Sequence, residues 1–115
     1  MKIYNDHTDY DAVSVFTISV DFDGVIHDAT GGWKQGECYG KPKQGSLETI
    51  NRLIEKGFEI VVFTARDNHQ PVIEWLEKHD FPKLKVSNIK QPSRAYIDDR
   101  AIRFTSWEDV GKYFI

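Results

Sequence analysis

Two aspartates one residue apart, Asp21 and Asp23, stand where a run of β-formers (Val13, Val15, Phe16, Ile18, Val20) gives way to Gly24. Asp is a poor strand former and costly to bury, so a pair of them at the carboxyl end of an apolar strand calls for something that compensates their charge. Polar groups close two further apolar runs: Thr64-Ala65-Arg66 follows residues 58–63, and Asp98-Asp99 follows Ala95-Tyr96-Ile97. In a parallel sheet these ends share one edge, where open α/β sheets bind ligands. Carboxylates gathered there repel one another and shift upward in pKa unless a cation compensates them. Hard oxygen donors suit Mg²⁺.

Such a set could carry out phosphoryl transfer. Asp21, held against the ion, would attack phosphorus to form an aspartyl phosphate. Asp23 would protonate the leaving alcohol and then activate the hydrolytic water. Thr64 and a nearby lysine would meet the charge on the equatorial phosphoryl oxygens. Backbone N–H groups around Gly24 would add an anion-binding concavity.

Positioning these groups requires strands that alternate with helices. Strands are expected over residues 13–21 and 58–63, at Leu84-Lys85-Val86, at Ala95-Tyr96-Ile97 and at Ile102-Arg103-Phe104. Leu47, Ile50, Leu53 and Ile54 share one helical face, with Ser46 as the expected N-cap and Gly57 just past the end. Val72, Ile73 and Leu76 form a second stripe after Pro71, stopped by Asp80-Phe81-Pro82. Ser106 opens a last helix whose Val110, Tyr113 and Phe114 are expected to pack inward. The alternation predicts a three-layer, Rossmann-like α/β domain built on a mainly parallel five-stranded sheet. Glycines concentrate between Gly24 and Gly45, which predicts turns and a hairpin-like flap with Trp33 and Tyr39 as its apolar face. Residues 1–12 are polar and aperiodic and are expected to form a loose arm or an extra strand.

The 115 residues suit one compact domain. A net charge of −3 supplies no global attraction to nucleic acid or to an acidic membrane surface. No apolar run approaches the ~18 residues of a membrane span, and the N-terminus lacks the basic-then-apolar pattern of a secretory signal. Cys38, the single cysteine, excludes an intramolecular disulfide framework. The expectation is a cytoplasmic protein without a membrane partner. One Cys and scattered His residues give zinc no support.

Taken in order, Asp21-Phe22-Asp23-Gly24-Val25, Val62-Phe63-Thr64, a downstream lysine and Tyr96-Ile97-Asp98-Asp99 resemble the four motifs of the haloacid dehalogenase superfamily, over residues from about 13 to 104. The resemblance implies that Asp21 is the nucleophile and Asp23 the acid and base. It implies that Asp21, Asp98 and the Phe22 backbone carbonyl bind Mg²⁺, with the Asp23 carbonyl as a lesser candidate, and that Asp99 assists through water or by holding the lysine. Lys90 is preferred to Lys83 and Lys85 for that lysine because Asn88-Ile89-Lys90-Gln91-Pro92 reads as a loop leading to the fourth strand. The expected phosphate-binding set is Gly24, Thr64, Ala65, Arg66 and Lys90.

The chain has no room for the family's larger caps and resembles its minimal, capless, phosphatase-like members, whose open sites admit bulky substrates or are covered by a neighbouring subunit. Family dehalogenases and transport ATPases lack an Asp at the position matching Asp23, so the resemblance favours phosphomonoester hydrolysis, with a phosphomutase as the lesser alternative. A phosphorylated small molecule is the expected substrate, a nucleic-acid terminus the second candidate, and a homo-oligomer is compatible with either. The alternative is a non-catalytic Mg²⁺- or phosphate-binding regulatory or interaction module. Taken alone, Asp98-Asp99-Arg100 reads equally as a charged turn, and Arg66 as a solvated charge or as a grip on substrate phosphate. His27 and Asp28 follow the first motif closely enough to line the pocket, but exposed flap positions are the preferred reading of both.

Overall fold

The computed structural model describes residues 15–115; the arm expected over 1–12, and residues 13 and 14, lie outside them. The elements in chain order are β1 (Thr17–Asp21), α1 (Ser46–Glu55), β2 (Glu59–Phe63), α2 (Gln70–Lys78), β3 (Lys85–Ser87), β4 (Ala95–Ile97) and α3 (Trp107–Phe114). The strands form one four-stranded sheet in the order β3-β2-β1-β4, with every pairing parallel. β1 is central, and its residues Thr17 to Val20 are all buried, as a strand covered on both faces requires. Two of these are polar, and each finds a partner: Ser19 Oγ lies 2.6 Å from Ser93 Oγ, and Thr17 Oγ1 donates to Glu59 Oε1.

The chain runs from β1 outward through β2 and β3 and then returns to the other side of β1 to form β4. The strand order therefore reverses between β1 and β4, the topological switch point at which open α/β sheets hold ligands. The register pairs Asp21 with Phe63, and Val20 with Ile97. Asp98, one residue past Ile97, thus arrives level with Asp21. Thr64 follows Phe63 on the opposite side. Below this edge lies a core of Ile18, Val20, Phe22, Ile26, Ile50, Ile60, Val62, Val72, Trp75, Leu76 and Phe81.

Several local expectations need correction. Gly45, not Ser46, takes the N-cap of α1, because the chain enters the helix at φ 84°, a left-handed value that glycine adopts without strain; Ser46 lies one step inside, its buried hydroxyl unpaired. Ile102-Arg103-Phe104 forms no strand, so among the described residues the sheet has four strands and not five. α3 forms as expected, with Ser106 Oγ accepting the Asp109 N–H, but it buries none of its residues, and Tyr113 and Phe114 stand 66% and 75% exposed. The two departures share one cause: without a strand beyond β4 there is no sheet surface there for α3 to cover. No helix among the described residues is long and apolar enough to cross a membrane.

Candidate functional site

Asp21 closes β1, and its Oδ1 accepts the Phe22 N–H at 2.9 Å. The chain then folds into a tight turn around the Phe22 carbonyl, which accepts N–H groups from Val25, Ile26 and His27 at 3.2, 2.9 and 2.9 Å. Three donors already occupy that oxygen, which counts against the expectation that it binds Mg²⁺. No N–H of the turn donates to the Asp23 carbonyl, which becomes the backbone oxygen suited to an ion. The Gly24 N–H donates to the His27 carbonyl at 2.8 Å. With those of the next three residues also committed, the anion-binding concavity expected around Gly24 does not form. Gly24 serves the backbone instead: its φ is +88°, a left-handed value that glycine adopts without strain.

Asp21, Asp98 and Asp99 each offer a carboxylate oxygen, and these atoms lie within 4.8 Å of one another. Burial pushes the Asp21 carboxyl up to about 6; the Phe22 N–H opposes that shift, and the charges of Asp98, Asp99 and Asp23 reinforce it. Asp98 and Asp99 are exposed, so water can complete a shell around a hard cation. The donor set fits Mg²⁺: oxygen atoms only, and a surplus of negative charge that a divalent ion would relieve.

A prediction follows from the sign of the Asp21 shift. Its folded value, about 6, exceeds the unfolded 3.8, so ionising it in the folded chain lowers stability from about pH 4 to about pH 6, after which the penalty is constant. A cation relieves only the ionised form. Added Mg²⁺ should therefore raise the melting temperature little near pH 5, increasingly through pH 6, and fully by about pH 7.5. Thermal denaturation across that range checks this, and a pH-independent shift would remove Asp21 from the ligand set.

Asp23 is held differently. Arg66 Nε donates to its Oδ2 at 2.8 Å and Arg66 Nη2 to its Oδ1 at 3.0 Å, while His27 Nδ1 lies 2.9 Å from the same Oδ1. Burial acts to raise its pKa, but the hydrogen bonds from Arg66 and His27 outweigh burial and hold it below the usual carboxylate range. Arg66, expected either in solvent or on substrate, is buried; its remaining bond runs from Nη1 to the Gly36 carbonyl at 2.7 Å.

The cleft measures about 720 Å³, and Asp21, Asp23, Thr64, Ala65, Asp98 and Asp99 are among the residues that line it. Thr64 is buried, and its Oγ1 accepts the Arg66 N–H at 3.2 Å, which leaves the hydroxyl proton free to donate. Lys90 is not brought to this lining. β3 is only three residues long, and the loop that follows it sets the Lys90 ammonium 4.7 Å from the Tyr96 ring centre. The lysines that line the cleft, Lys34 and Lys43, come from the flap.

No protein-family model matches the chain, and no curated protein is significantly similar to it in sequence. One solved structure is similar in fold: a conserved protein of Bacteroides thetaiotaomicron, which covers 84% of this chain and 87% of its own length with a TM-score of 0.58 and 19% identity. That likeness supports the α/β fold.

His27 is the residue that sequence reasoning misjudged. Far from an exposed flap position, it is 0% exposed and lies parallel to the Phe22 ring at 5.1 Å. The available signal was its spacing: four residues after Asp23, beyond the apolar pair Val25-Ile26, a turn would bring it back beneath that carboxylate.

Proposed function

We propose that the protein is a Mg²⁺-dependent phosphomonoester hydrolase of the haloacid dehalogenase type, acting through an aspartyl phosphate on Asp21 with Asp23 as general acid and base. The observation that carries this reading is the convergence of the Asp21, Asp98 and Asp99 oxygens within 4.8 Å, in the cleft that Asp23 and Thr64 also line. Asp21, Asp98 and the Asp23 carbonyl would hold the ion, with Asp99 beside them. When bound, it offsets charge on the carboxylates and on the phosphoryl oxygens.

The chain's own residues supply the remaining steps. Asp21 Oδ2, free of the Phe22 N–H, gives its electron pair to phosphorus, and the bond from phosphorus to the leaving oxygen breaks. Asp23 passes its proton to that oxygen. Water then loses a proton to Asp23 and attacks phosphorus, the Asp21–phosphorus bond breaks, and inorganic phosphate departs. Thr64 donates its hydroxyl proton to a phosphoryl oxygen. Lys90 would join by leaving the Tyr96 ring, an exposed contact worth only about 0.5–1 kcal/mol.

Burial and Arg66 set the two acids in the order opposite to the one catalysis needs, since Asp21 is pushed up and Asp23 held down. The substrate complex must invert it. Beside a cation Asp21 would ionise more readily, and the negative charge of a phosphate dianion placed near Asp23 would favour the protonated acid.

The cleft volume falls among pockets that hold small molecules, which favours a phosphorylated metabolite over a nucleic-acid end. Release of phosphate from p-nitrophenyl phosphate and a phosphometabolite panel, with Mg²⁺ and with EDTA, tests the reading. Mg²⁺-dependent turnover is expected. Its absence across the panel, with Mg²⁺ still raising the melting temperature, would favour the binding module.

A further inference from the structure

We propose that His27 and Arg66 are positioning residues that couple the flap to the Asp23 carboxylate, so that the flap itself sets the acid against the leaving group. The proposal rests on the reading of Asp23 as the group that protonates the leaving oxygen. Each of the two side chains bridges Asp23 to flap backbone. Arg66 spans from both Asp23 oxygens to the Gly36 carbonyl. His27 spans from Asp23 Oδ1 to the Gly40 N–H, which lies 2.9 Å from Nε2.

The His27 bridge has a fixed polarity. A backbone N–H can only donate, so Nε2 is the acceptor, Nδ1 carries the proton, and that proton points at Asp23. The ring cannot turn to escape this arrangement, because it is stacked on Phe22 and met edge-on by Tyr39 and Trp75, with ring centres 5.3 and 5.4 Å away. Arg66 is held similarly, its guanidinium 4.9 Å from the Trp33 ring and 5.7 Å from Phe22.

The flap is fixed where the bridges meet it. Trp75 Nε1 donates to the Gly40 carbonyl at 2.9 Å, and a Cβ on Gly40 would fall 1.9 Å from the Asp28 carbonyl. At its base, Asp28 N–H to Lys41 carbonyl and Lys43 N–H to Ile26 carbonyl bonds tie the two limbs together. A shift of the 36–40 segment thus displaces Asp23 through two separate hydrogen-bonded routes. Trp33 and Tyr39 of the flap face the same cleft. A leaving group seated against them lies beside the acid they help to hold, so the flap selects the leaving group and places its proton donor together.

The test uses two esters of similar shape, phenyl phosphate and p-nitrophenyl phosphate. Nitrophenolate departs without a proton, and phenolate is helped by one. kcat/KM reads only the steps up to departure of the leaving group, which keeps the hydrolytic step out of the comparison. His27→Gln, which retains an acceptor for Gly40 but loses the donor to Asp23, should lower kcat/KM for phenyl phosphate at least about tenfold and for p-nitrophenyl phosphate less than about threefold. His27→Asn, which keeps a donor near the Nδ1 position, should restore part of the phenyl phosphate loss.

Because a buried histidine can be needed for folding, Trp33→Ala supplies a second arm. Trp33 is 69% exposed, packs on Arg66 and lines the cleft, so its removal should lower kcat/KM for both esters through the lost leaving-group contact and lower it further for phenyl phosphate through Arg66 and Asp23. Equal losses on both esters in the His27 and Trp33 variants, while Asp23→Ala still discriminates between them, would overturn the coupling. Loss of discrimination in Asp23→Ala itself would overturn the acid role, and no hydrolysis by the unaltered protein would overturn the hydrolase reading.

Discussion

Asp21→Asn is expected to lower turnover by at least about 10³-fold, the scale on which an enzyme loses activity when its nucleophile is removed. The amide offers phosphorus no anionic electron pair, and no neighbouring carboxylate ends β1 at the same height. The same substitution should make the metal-free protein more stable at neutral pH. Asp21 bears its charge against burial and against Asp98, Asp99 and Asp23, so its carboxyl rises to about 6, and a neutral amide of the same shape removes that strain. Near pH 5, where the wild-type carboxyl is mostly protonated, the gain should shrink. Thermal denaturation at both pH values, alongside phosphate release, separates this outcome from misfolding. An inactive variant that melts lower would mean that Asp21 holds structure and does not merely tolerate repulsion. The variant should also lose most of the Mg²⁺-dependent rise in melting temperature.

The parts of the site that were legible in the sequence are those that a strand end fixes. Residues Phe16 to Val20 are apolar or β-branched apart from Ser19, so their end is readable, and an acid at an end of a parallel sheet has one edge on which to appear. The placement of Asp21, Asp23, Thr64, Asp98 and Asp99 around one cleft therefore followed from pattern alone. Helices α1 and α2 were legible for the same reason, through Ile50 and through Val72 and Leu76, which the structure buries.

What escaped the sequence depends on contacts between residues far apart in the chain. Nothing local to Phe22 says that its carbonyl will be taken by three N–H groups while that of Asp23 stays free, since both fit a turn after a strand. Arg66 looked like a solvated charge or a grip on substrate because its partners, Asp23 and Gly36, are 43 and 30 residues away. Lys90 was placed by the loop it sits in, but a flexible side chain on a loop goes where the nearest favourable surface is, and that surface is the Tyr96 ring. Ile102 and Phe104 have the alternation of a strand and lack the partner that would make them one.

Asp23→Asn should lower kcat/KM for alkyl phosphates by about 10²–10⁴-fold, the usual contribution of a positioned acid, and much less for p-nitrophenyl phosphate. Its effect on stability should be opposite in sign to that of Asp21→Asn. Asp23 accepts two bonds from Arg66 and one from His27, and an amide can satisfy only some of those donors while leaving the guanidinium without its counter-charge. The side chain is one-third exposed, which screens the pair, so the expected loss is about 1–2 kcal/mol near neutral pH. Because the folded pKa lies below the unfolded one, this stabilisation is complete above the unfolded value and fades as pH falls through the folded one. Wild type and Asp23→Asn should therefore begin to converge in stability below about pH 4 and meet once the pH has fallen past the folded value. Denaturant melts at neutral and acidic pH check it: two carboxylates separated by one residue, one burdened by its surroundings and the other held by them, should respond to the same substitution in opposite directions.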